Sequence, residues 1–316
     1  MSLAAASLNA RRDGRATLAR SAADGIERGR AYNTFMARSA VLVTLVGALV
    51  GLTVVVSGVS GVSGVSRASS IHGAHDDASQ RPAGVLVELF TSEGCSSCPP
   101  ADSLLQSLAD TQPIGGAEII ALGQHVDYWD QLGWKDRFSS AALTDRQRQY
   151  AHALGIDGIY TPQMVVDGRE GFVGSDASQA RRAIGKALSA RHAAVSIALE
   201  EMTGANRFAV TVRIEDVPPI SASEHLDLGL AVTEDRLRSD VRSGENRGRQ
   251  LTHAAVVRHL DIVRAQGPAL EPAVRIETAI APGWERDRLK IVAFIQERVS
   301  RRVLGAAAVA LPSAPR

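Results

Sequence analysis

Cys95 and Cys98 are the only two cysteines in the 316 residues of this chain. Two serines separate them, and the pair Pro99-Pro100 follows directly. A disulfide between residues only three positions apart closes a very short loop, so it removes little entropy from the unfolded chain and adds little stability. The spacing therefore predicts a pair whose role is chemical, namely reversible thiol–disulfide exchange.

Exchange of this kind requires one accessible sulfur that attacks as a thiolate and a second that resolves the mixed disulfide. Two alternatives stay open. A closed zinc site requires four ligands, and the sequence has no second CxxC and no close histidine pair, but copper bound by Cys95, Cys98 and His125 is conceivable. The other alternative is a buried, inert pair in a protein that serves as a non-catalytic interaction module.

The elements around the pair follow an α/β pattern. An apolar run at 85–90 predicts a buried strand, and 101–108 predicts a helix with leucines on one face. A second strand is predicted at 118–123 and a second helix at 144–154. Strand, helix, strand, helix is typical of a parallel α/β unit, with the two thiols between its first strand and first helix.

A hairpin and a third helix are expected to complete this unit. Pro162 introduces an apolar strand, and its missing N–H is tolerated at a strand's first position. Asp167-Gly168 then favours a tight turn into 172–173, and a helix is predicted at 177–190.

The sequence pattern changes near residue 192. Beyond it, alternating segments predict short strands in an antiparallel sheet or small sandwich, at 195–199, 208–214, 226–233, 274–279 and 289–295. We therefore expect an α/β domain at 84–192 and a β-rich region at 193–316. The second region offers no catalytic constellation and is interpreted as a structural or partner-binding module.

The N-terminal part has the pattern of an export signal. Seven arginines precede residue 39, and residues 40–56 carry no charge. This apolar run is shorter than the roughly 20 residues that span a bilayer, although the uncharged stretch continues to residue 66. We expect a leader at 1–66, cleaved or kept as an anchor, and a linker at 67–83. The protein is then periplasmic or in the cell envelope, with membrane contact only through 40–66 if the leader stays.

The charge balance excludes one class of partner. The chain has 35 basic and 34 acidic residues and a formal net charge of +1. Nonspecific nucleic-acid binding needs a strong basic field, which this balance does not provide. We expect no nucleic-acid partner and no cofactor.

A strand, a CxxC at the start of a helix and a later Thr-Pro before a hairpin strand resemble the thioredoxin fold. Longer motifs resemble an exported bacterial family catalogued as domain of unknown function 1223, over about 84–310. They read VELFTSEGCSSCPPAD at 87–102, HVDYWD at 125–130, LGWKD at 132–136 and YTPQ at 160–163. The resemblance implies a thioredoxin-like domain, a redox-competent thiol pair and an appended β-rich region, but it supplies no known substrate.

The resemblance also implies roles for individual residues. Cys95 attacks and Cys98 resolves, and the start of the following helix directs unpaired N–H groups and its positive end at Cys95. Prolines at 99 and 100 lack these groups, so the helix is expected to begin no earlier than Ser97 as N-cap. Thr161 and Pro162 are expected to share a cis peptide bond that faces the thiols, where the Thr161 backbone can pair with an extended substrate.

A proton acceptor for the resolving thiol is also needed. Thioredoxins place a buried aspartate in the strand before the CxxC, but Leu89 occupies that position here. Glu88, one residue earlier, points to the opposite face if strand alternation holds. A desolvated carboxyl group there is a candidate base. The alternative is a glutamate hydrogen-bonded to loop backbone.

The aromatic segment 125–138 follows the second strand, at the edge where parallel α/β sheets bind ligands. It carries Tyr128, Trp129 and Trp134, and we interpret it as a wall beside the thiols whose tryptophans contact substrate. The alternative is a local aromatic core. Together these patterns predict an exported thiol–disulfide oxidoreductase that acts on protein thiols or disulfides.

Overall fold

The computed structural model describes residues 82–202, 206–265 and 269–312. The predicted leader at 1–66 and nearly all of the predicted linker at 67–83 lie outside these ranges. Residues Gly73–Arg316 belong to one compact unit. Within the described ranges, every helix is too short or too polar to cross a membrane.

Four strands form the half of the main sheet that carries the thiols. They are β1 (Ala83–Thr91), β2 (Ala117–His125), β3 (Gln163–Val166) and β4 (Glu170–Val173). β1 pairs with β2 in parallel and with β3 antiparallel, and β3 pairs with β4 antiparallel. Asp167 and Gly168 both have positive φ and form the predicted tight turn between β3 and β4.

Three helices cover the two faces of these strands. They are α1 (Pro99–Thr111), α2 (Ala141–Leu154) and α3 (Ala177–Leu188). Side-chain caps begin two of them: Ser140 accepts from the N–H of Ala142 in α2, and Asp176 from the N–H of Gln179 in α3. α1 and α3 pack on the face that carries Leu89, whereas α2 packs on the face that carries Leu86.

Strands of the second half divide between three sheets. β5 (Ala194–Glu201), β6 (Arg207–Glu215) and β11 (Ala273–Ala279) form an antiparallel sheet of their own. β8 (Leu237–Asp240) and β9 (Gln250–His253) form a two-stranded hairpin. The others extend the main sheet, namely β7 (Leu226–Glu234), β10 (Val256–Arg264), β12 (Leu289–Glu297) and β13 (Val303–Ala310).

The main sheet therefore has eight strands in the order β13-β12-β7-β10-β2-β1-β3-β4 and includes strands from both sides of residue 192. The protein is an α/β structure with a large mixed sheet and few helices. Its two halves meet between β2 and β10, where the ladder has the single pair Gly123–Val256. Gly123 allows this approach because a Cβ there would lie 2.5 Å from the Ala254 carbonyl oxygen.

Candidate functional site

Cys95 and Cys98 form a disulfide, with their Cα atoms 5.4 Å apart. They lie just beyond the carboxyl end of β1, and Cys98 is the N-cap of α1. The backbone turns tightly here: the N–H of Cys95 donates to the Ser92 carbonyl and the N–H of Cys98 to the Cys95 carbonyl, both at 3.2 Å. The two cysteines that the sequence predicts to undergo thiol–disulfide exchange are therefore bonded to each other.

The start of α1 offers no free backbone donor to a thiolate. Pro99 and Pro100 occupy its first two positions and lack N–H groups. The N–H groups of Ala101 and Asp102 both donate to the Cys98 carbonyl, at 2.8 and 3.1 Å. The expectation of unpaired N–H groups directed at Cys95 is therefore wrong. The helix dipole and the Ser97 hydroxyl, whose Oγ is 3.4 Å from the Cys95 sulfur, remain to stabilise a negative charge there.

Both cysteines are 0% exposed, although Ser96 and Ser97 between them are exposed. The sequence predicted one accessible sulfur, and in this closed arrangement that expectation is wrong. The physical reason is a cover supplied by the second half of the chain. We call residues 237–253, which comprise β8, β9 and their connection, the cover hairpin.

The cover hairpin holds the backbone of the disulfide loop through polar side chains. Asn246 is fully buried, and its Nδ2 donates to the carbonyls of Glu93 and Cys95, each at 2.9 Å. Its Oδ1 accepts from Nη1 of Arg249 at 2.9 Å, which fixes the amide orientation. The N–H of Ser96 donates to Oε2 of Glu245 at 3.1 Å, and this hydrogen bonding lowers the pKa of Glu245.

The predicted aromatic wall lies against the same loop. Nε1 of Trp134 donates to Oε2 of Glu93 at 2.7 Å. Nε1 of Trp129 donates to Oγ1 of Thr161 at 2.8 Å. A Cβ on Gly94 would lie 3.2 Å from Cβ of Trp129, so this side chain is next to the residue that precedes Cys95. The two tryptophans therefore form one side of the thiol site.

Pro162 and Tyr128 have different surroundings. The Thr161–Pro162 bond is cis, as the resemblance implied. A Cβ on Gly174 would lie 3.2 Å from Cβ of both Ala101 and Pro162, which places the proline beside the first turn of α1. Tyr128 packs in a local aromatic cluster around Phe90, and burial raises its pKa.

A cluster of buried acids and imidazoles lies behind the loop. Each member is at most 7% exposed, and we call the set the acid–imidazole cluster: Glu93, Asp102, His125, Asp136 and His253. Nδ1 of His125 is 2.6 Å from Oδ2 of Asp136. His253 lies between two carboxyl groups, with Nε2 3.4 Å from Oε1 of Glu93 and Nδ1 4.0 Å from Oδ2 of Asp102.

Neither ring nitrogen of His253 has a hydrogen-bond partner among the described residues. Its ring contacts that of His125, with centroids 4.8 Å apart.

The carboxyl groups of this cluster differ in acidity. Burial raises the pKa of Asp102 to about 7, and the nearby Asp136 and Glu93 add to the rise although His253 opposes it. Burial acts on Glu93 and Asp136 too, but the close contact with His253 and the pairing with His125, respectively, bring their pKa values below the ordinary range. Asp102 is thus the carboxyl group of the cluster that changes charge near neutral pH.

Asp102 also has a fixed relation to the resolving cysteine. It lies four residues after Cys98, so the two are on the same face of α1. Its own N–H donates to the Cys98 carbonyl. The sequence contained this signal, because Asp102 is the last residue of the longer motif at 87–102, but the base was predicted in β1 instead.

Glu88 has no such relation to the thiols. It is fully buried on the face opposite α1, where Nε and Nη2 of Arg146 donate to its two oxygens at 2.7 and 2.9 Å. Tyr150 and Gln124 also hydrogen-bond to this carboxylate. Strand alternation predicted the correct face of the sheet for Glu88, but both of its carboxylate oxygens pair with Arg146.

The copper alternative finds no support in the geometry. No group of three His, Cys, Asp or Glu side chains within the described ranges is arranged to hold a metal ion. Nδ1 of His125 is instead engaged by Asp136, and Cys95 is bonded to Cys98. Three site residues that the sequence analysis missed, Glu245, Asn246 and His253, come from the cover hairpin and carry no local signal.

A family model described as protein of unknown function (DUF1223) matches residues 86–296. The chain belongs to the DUF1223 family. This family assignment confirms the resemblance seen in the four motifs.

Among solved structures, the DUF1223 chain is similar to a crystal structure of a protein from Agrobacterium tumefaciens. The two are 24% identical, the match covers 75% of this chain and 98% of that chain, and the TM-score is 0.55, which indicates a shared fold. The search of curated proteins gave no match.

Two further structures align with TM-scores too low to indicate a shared fold. One is a domain of the outer membrane lipoprotein Omp28 from Porphyromonas gingivalis, at 14% identity over 38% of this chain and 88% of that chain, with a TM-score of 0.24. The other is a hypothetical protein from Pyrococcus horikoshii, at 12% identity over 38% of this chain and 89% of that chain, with a TM-score of 0.22.

Proposed function

We propose that this protein is an exported thiol–disulfide oxidoreductase that uses Cys95 and Cys98 on protein thiols or disulfides. The observation that carries the proposal is the position of its two cysteines, bonded at the N-cap of α1 and walled by Trp129 and Trp134. A disulfide across three positions contributes little to stability. Its position at this edge of the sheet favours exchange with another molecule.

The topology of the first half supports a thioredoxin-like unit. Its strands follow the order β2-β1-β3-β4, with β1 and β2 parallel and β3 and β4 antiparallel. Helices α1 and α3 lie on one face and α2 on the other. Export rests on the leader pattern in the sequence, with its arginine-rich start and uncharged segment.

The reaction of the reduced protein with a substrate disulfide proceeds in two displacements. The Cys95 thiolate attacks one substrate sulfur, which forms a mixed disulfide and releases the other substrate sulfur as a thiolate. Cys98 then loses its proton and attacks the Cys95 sulfur, which breaks the mixed disulfide and releases the second substrate thiolate. Two electrons pass to the substrate, and the protein is left with the Cys95–Cys98 disulfide. A dithiol substrate reverses these steps.

Asp102 is the proton acceptor in the second displacement. It is on the Cys98 face of α1, it is buried, and its pKa of about 7 matches an acceptor that works near neutral pH. Nδ1 of His253 lies 4.0 Å from its Oδ2. In the reverse direction the same carboxyl group returns the proton to Cys98.

Both sulfurs are fully buried, so exchange requires the structure around them to open. We assign this opening to the cover hairpin, whose Asn246 holds two carbonyls of the disulfide loop. These hydrogen bonds must then break, and each contributes about 1 kcal/mol net.

Two measurements on the purified full-length protein test the proposal. In glutathione buffers of increasing reducing strength, the folded protein is expected to interconvert reversibly between disulfide and dithiol. Cys98→Ser is expected to accumulate a mixed disulfide at Cys95 with a disulfide-bonded peptide, whereas Cys95→Ser should not, as mass spectrometry of acid-quenched samples can establish. Thiols that react only after denaturation would identify an inert structural disulfide and overturn the proposal.

A further inference from the structure

A cavity of about 430 Å³ lies between α2, β10 and the turn that joins β12 to β13. Its volume falls within the roughly 300–1,000 Å³ of small-molecule sites. The thiol site does not use it. Apolar and aromatic side chains form much of its lining, namely Phe138, Leu143, Val257, Leu260, Ile262 and Trp284.

The arginines of the lining make it cationic. Four of them border the cavity, and its lining includes no carboxylate: Arg137, Arg146, Arg258 and Arg301. His259 also borders it, with Nε2 2.8 Å from Oδ2 of Asp261 outside the lining. Two of the arginines are neutralised from outside the cavity. Arg146 pairs with Glu88 at 2.7 Å and Arg258 with Glu234 at 3.2 Å.

Arg301 is not neutralised. Its residue is only 8% exposed, it makes no ion pair with any described residue, and its Nε has no hydrogen-bond partner there. Burial and the nearby Arg146 lower the pKa of its guanidinium group, although Tyr150, Glu88 and Asp227 oppose this shift. A buried cation that forms no ion pair is unfavourable, so this position is electrostatically suited to receive an anion.

The backbone conformation at Arg301 also supports an anion site. Its φ is +62°, in the left-handed region that glycine occupies most easily. The turn fixes this conformation, because the Arg301 carbonyl accepts from Nε2 of Gln296 at 2.6 Å. An arginine here places a guanidinium group at the cavity at a conformational cost that glycine would avoid.

A second cation without a carboxylate partner borders the same cavity. Arg137 stacks on Phe138 at 4.5 Å and donates to the Arg238 carbonyl, and within the described ranges it forms no ion pair. The N-terminus of α2, with Ser140 as N-cap, borders the same space and adds the positive end of a 14-residue helix.

We propose that this cavity binds an organic anion, with one carboxylate, sulfonate or phosphate group held by Arg301 and Arg137. The apolar body of the ligand packs against Phe138, Leu260 and Trp284. Arginine and an aromatic wall together suit a ligand that is charged at one end and aromatic or aliphatic at the other. The site does not depend on the thiol chemistry proposed above.

The test uses two fluorescent probes of similar shape and different charge. Anilinonaphthalene sulfonate carries the required anion, and N-phenyl-1-naphthylamine lacks it. We expect saturable binding of the sulfonate at one site on the oxidised full-length protein, with a change in Trp284 emission. Arg301→Gln should weaken sulfonate binding about tenfold or more, since hydrogen bonds to charged groups are the strong ones, and should affect the neutral probe little.

Two further variants make the result decisive. Ile262→Glu places a carboxylate at the rim, and because Ile262 is 36% exposed the substitution should be tolerated while it weakens sulfonate binding. Arg181→Gln, at an exposed position of α3, is the matched control and should change nothing. Unchanged sulfonate affinity in Arg301→Gln or Ile262→Glu, an equal loss for the neutral probe, or absent saturable binding would overturn the proposal. None of these measurements depends on thiol reactivity, so their failure is distinguishable from a failure of the proposed exchange reaction.

Discussion

At the scale of single residues, the buried carboxyl groups of Glu88 and Asp102 differ in whether a basic side chain pairs with them. Glu88 is bound on both oxygens by Arg146, whereas Asp102 has no arginine or lysine partner among the described residues. Burial alone therefore does not identify a base. The unpaired group is the one whose pKa moves towards neutrality, and it is on the Cys98 side of the sheet.

Replacing Asp102 with asparagine should slow the resolving step. The amide keeps the shape of the side chain but cannot accept a proton, so a loss on the order of 100-fold is expected, as is usual for general acid–base catalysis. Oxidation of the reduced protein by a peptide disulfide should then accumulate the mixed disulfide, and the inflection of its rate near pH 7 should disappear. Asp110→Asn, at the exposed end of α1, is the control. A retained inflection would contradict the assigned role.

Asp102 should also make stability depend on pH. Its pKa is about 7 in the folded protein against an ordinary value of 3.8, so the folded state binds this proton more tightly. The group's contribution to the free energy of unfolding is therefore full below about pH 4 and declines as pH rises to 7. In urea unfolding, the stability of Asp102→Asn relative to the native protein should increase from pH 4 to pH 8. A constant difference would contradict the raised pKa.

The ion pair of Glu88 should matter for stability and not for exchange. Glu88→Gln leaves Arg146 buried without its counter-ion, which typically costs about 3–5 kcal/mol. Glu170→Gln breaks a much more exposed pair with Lys186 and should cost under about 1 kcal/mol. Urea unfolding compares the two. The thiol–disulfide exchange rate of folded Glu88→Gln should equal that of the native protein. A large decrease in this rate would indicate that Glu88 acts as a base.

At the scale of elements, the cover hairpin controls access to the disulfide. Asn246→Ala removes both hydrogen bonds from its side chain to the loop, so the hairpin should open more often. We expect the disulfide to be reduced by dithiothreitol up to about 30-fold faster, since two bonds at about 1 kcal/mol each contribute about 2 kcal/mol. Arg242→Ala, an exposed position on the same hairpin, is the control. Equal reduction rates in all three proteins would show that this hairpin is not the barrier.

Elements with a clear hydrophobic period were predictable from the sequence. The helices that α1, α2 and α3 correspond to were expected within three residues of their observed ends, and the Asp167-Gly168 hairpin was confirmed. The start of α2 was misplaced, because Thr144 was taken as its first residue. In the structure Thr144 donates instead to Asp127, and Ser140 caps the helix.

Four strands were not predicted from the sequence, for three different reasons. β13 is rich in alanine, which has little preference for strands, and it exists because it pairs with β12. β8 and β9 have four residues each, too few to display a period. β10 carries several charged residues and is stabilised by β7. In each case the deciding contact is distant in sequence, and the same holds for Asn246 above Cys95.

At the scale of the whole molecule, the eight-stranded sheet depends on a narrow junction. β2 and β10 share one ladder pair, supported by the hydrogen bond from the Gly123 N–H to the Ala255 carbonyl at 2.8 Å. The hairpin that covers the thiols leads directly into β10. The junction therefore fixes the position of the cover relative to the disulfide.

Gly123→Ala should destabilise the whole unit. Its Cβ would lie 2.5 Å from the Ala254 carbonyl oxygen, and a forced shift of this kind costs about 1–3 kcal/mol. Gly185→Ala is the matched control, because nothing lies within 4 Å of a Cβ in this helical position, and it should stabilise by about 0.5–1 kcal/mol. Opposite shifts of the urea midpoint are expected. A Gly123→Ala midpoint at or above the native value would show that the junction is loose.

The distance along the chain between the disulfide and its cover has a consequence for biosynthesis. Asn246 follows Cys95 by 151 residues. A ribosome makes the chain from its N-terminus, so the cysteines emerge long before the hairpin does. The redox conditions that a nascent chain encounters thus decide which form of the pair is enclosed first.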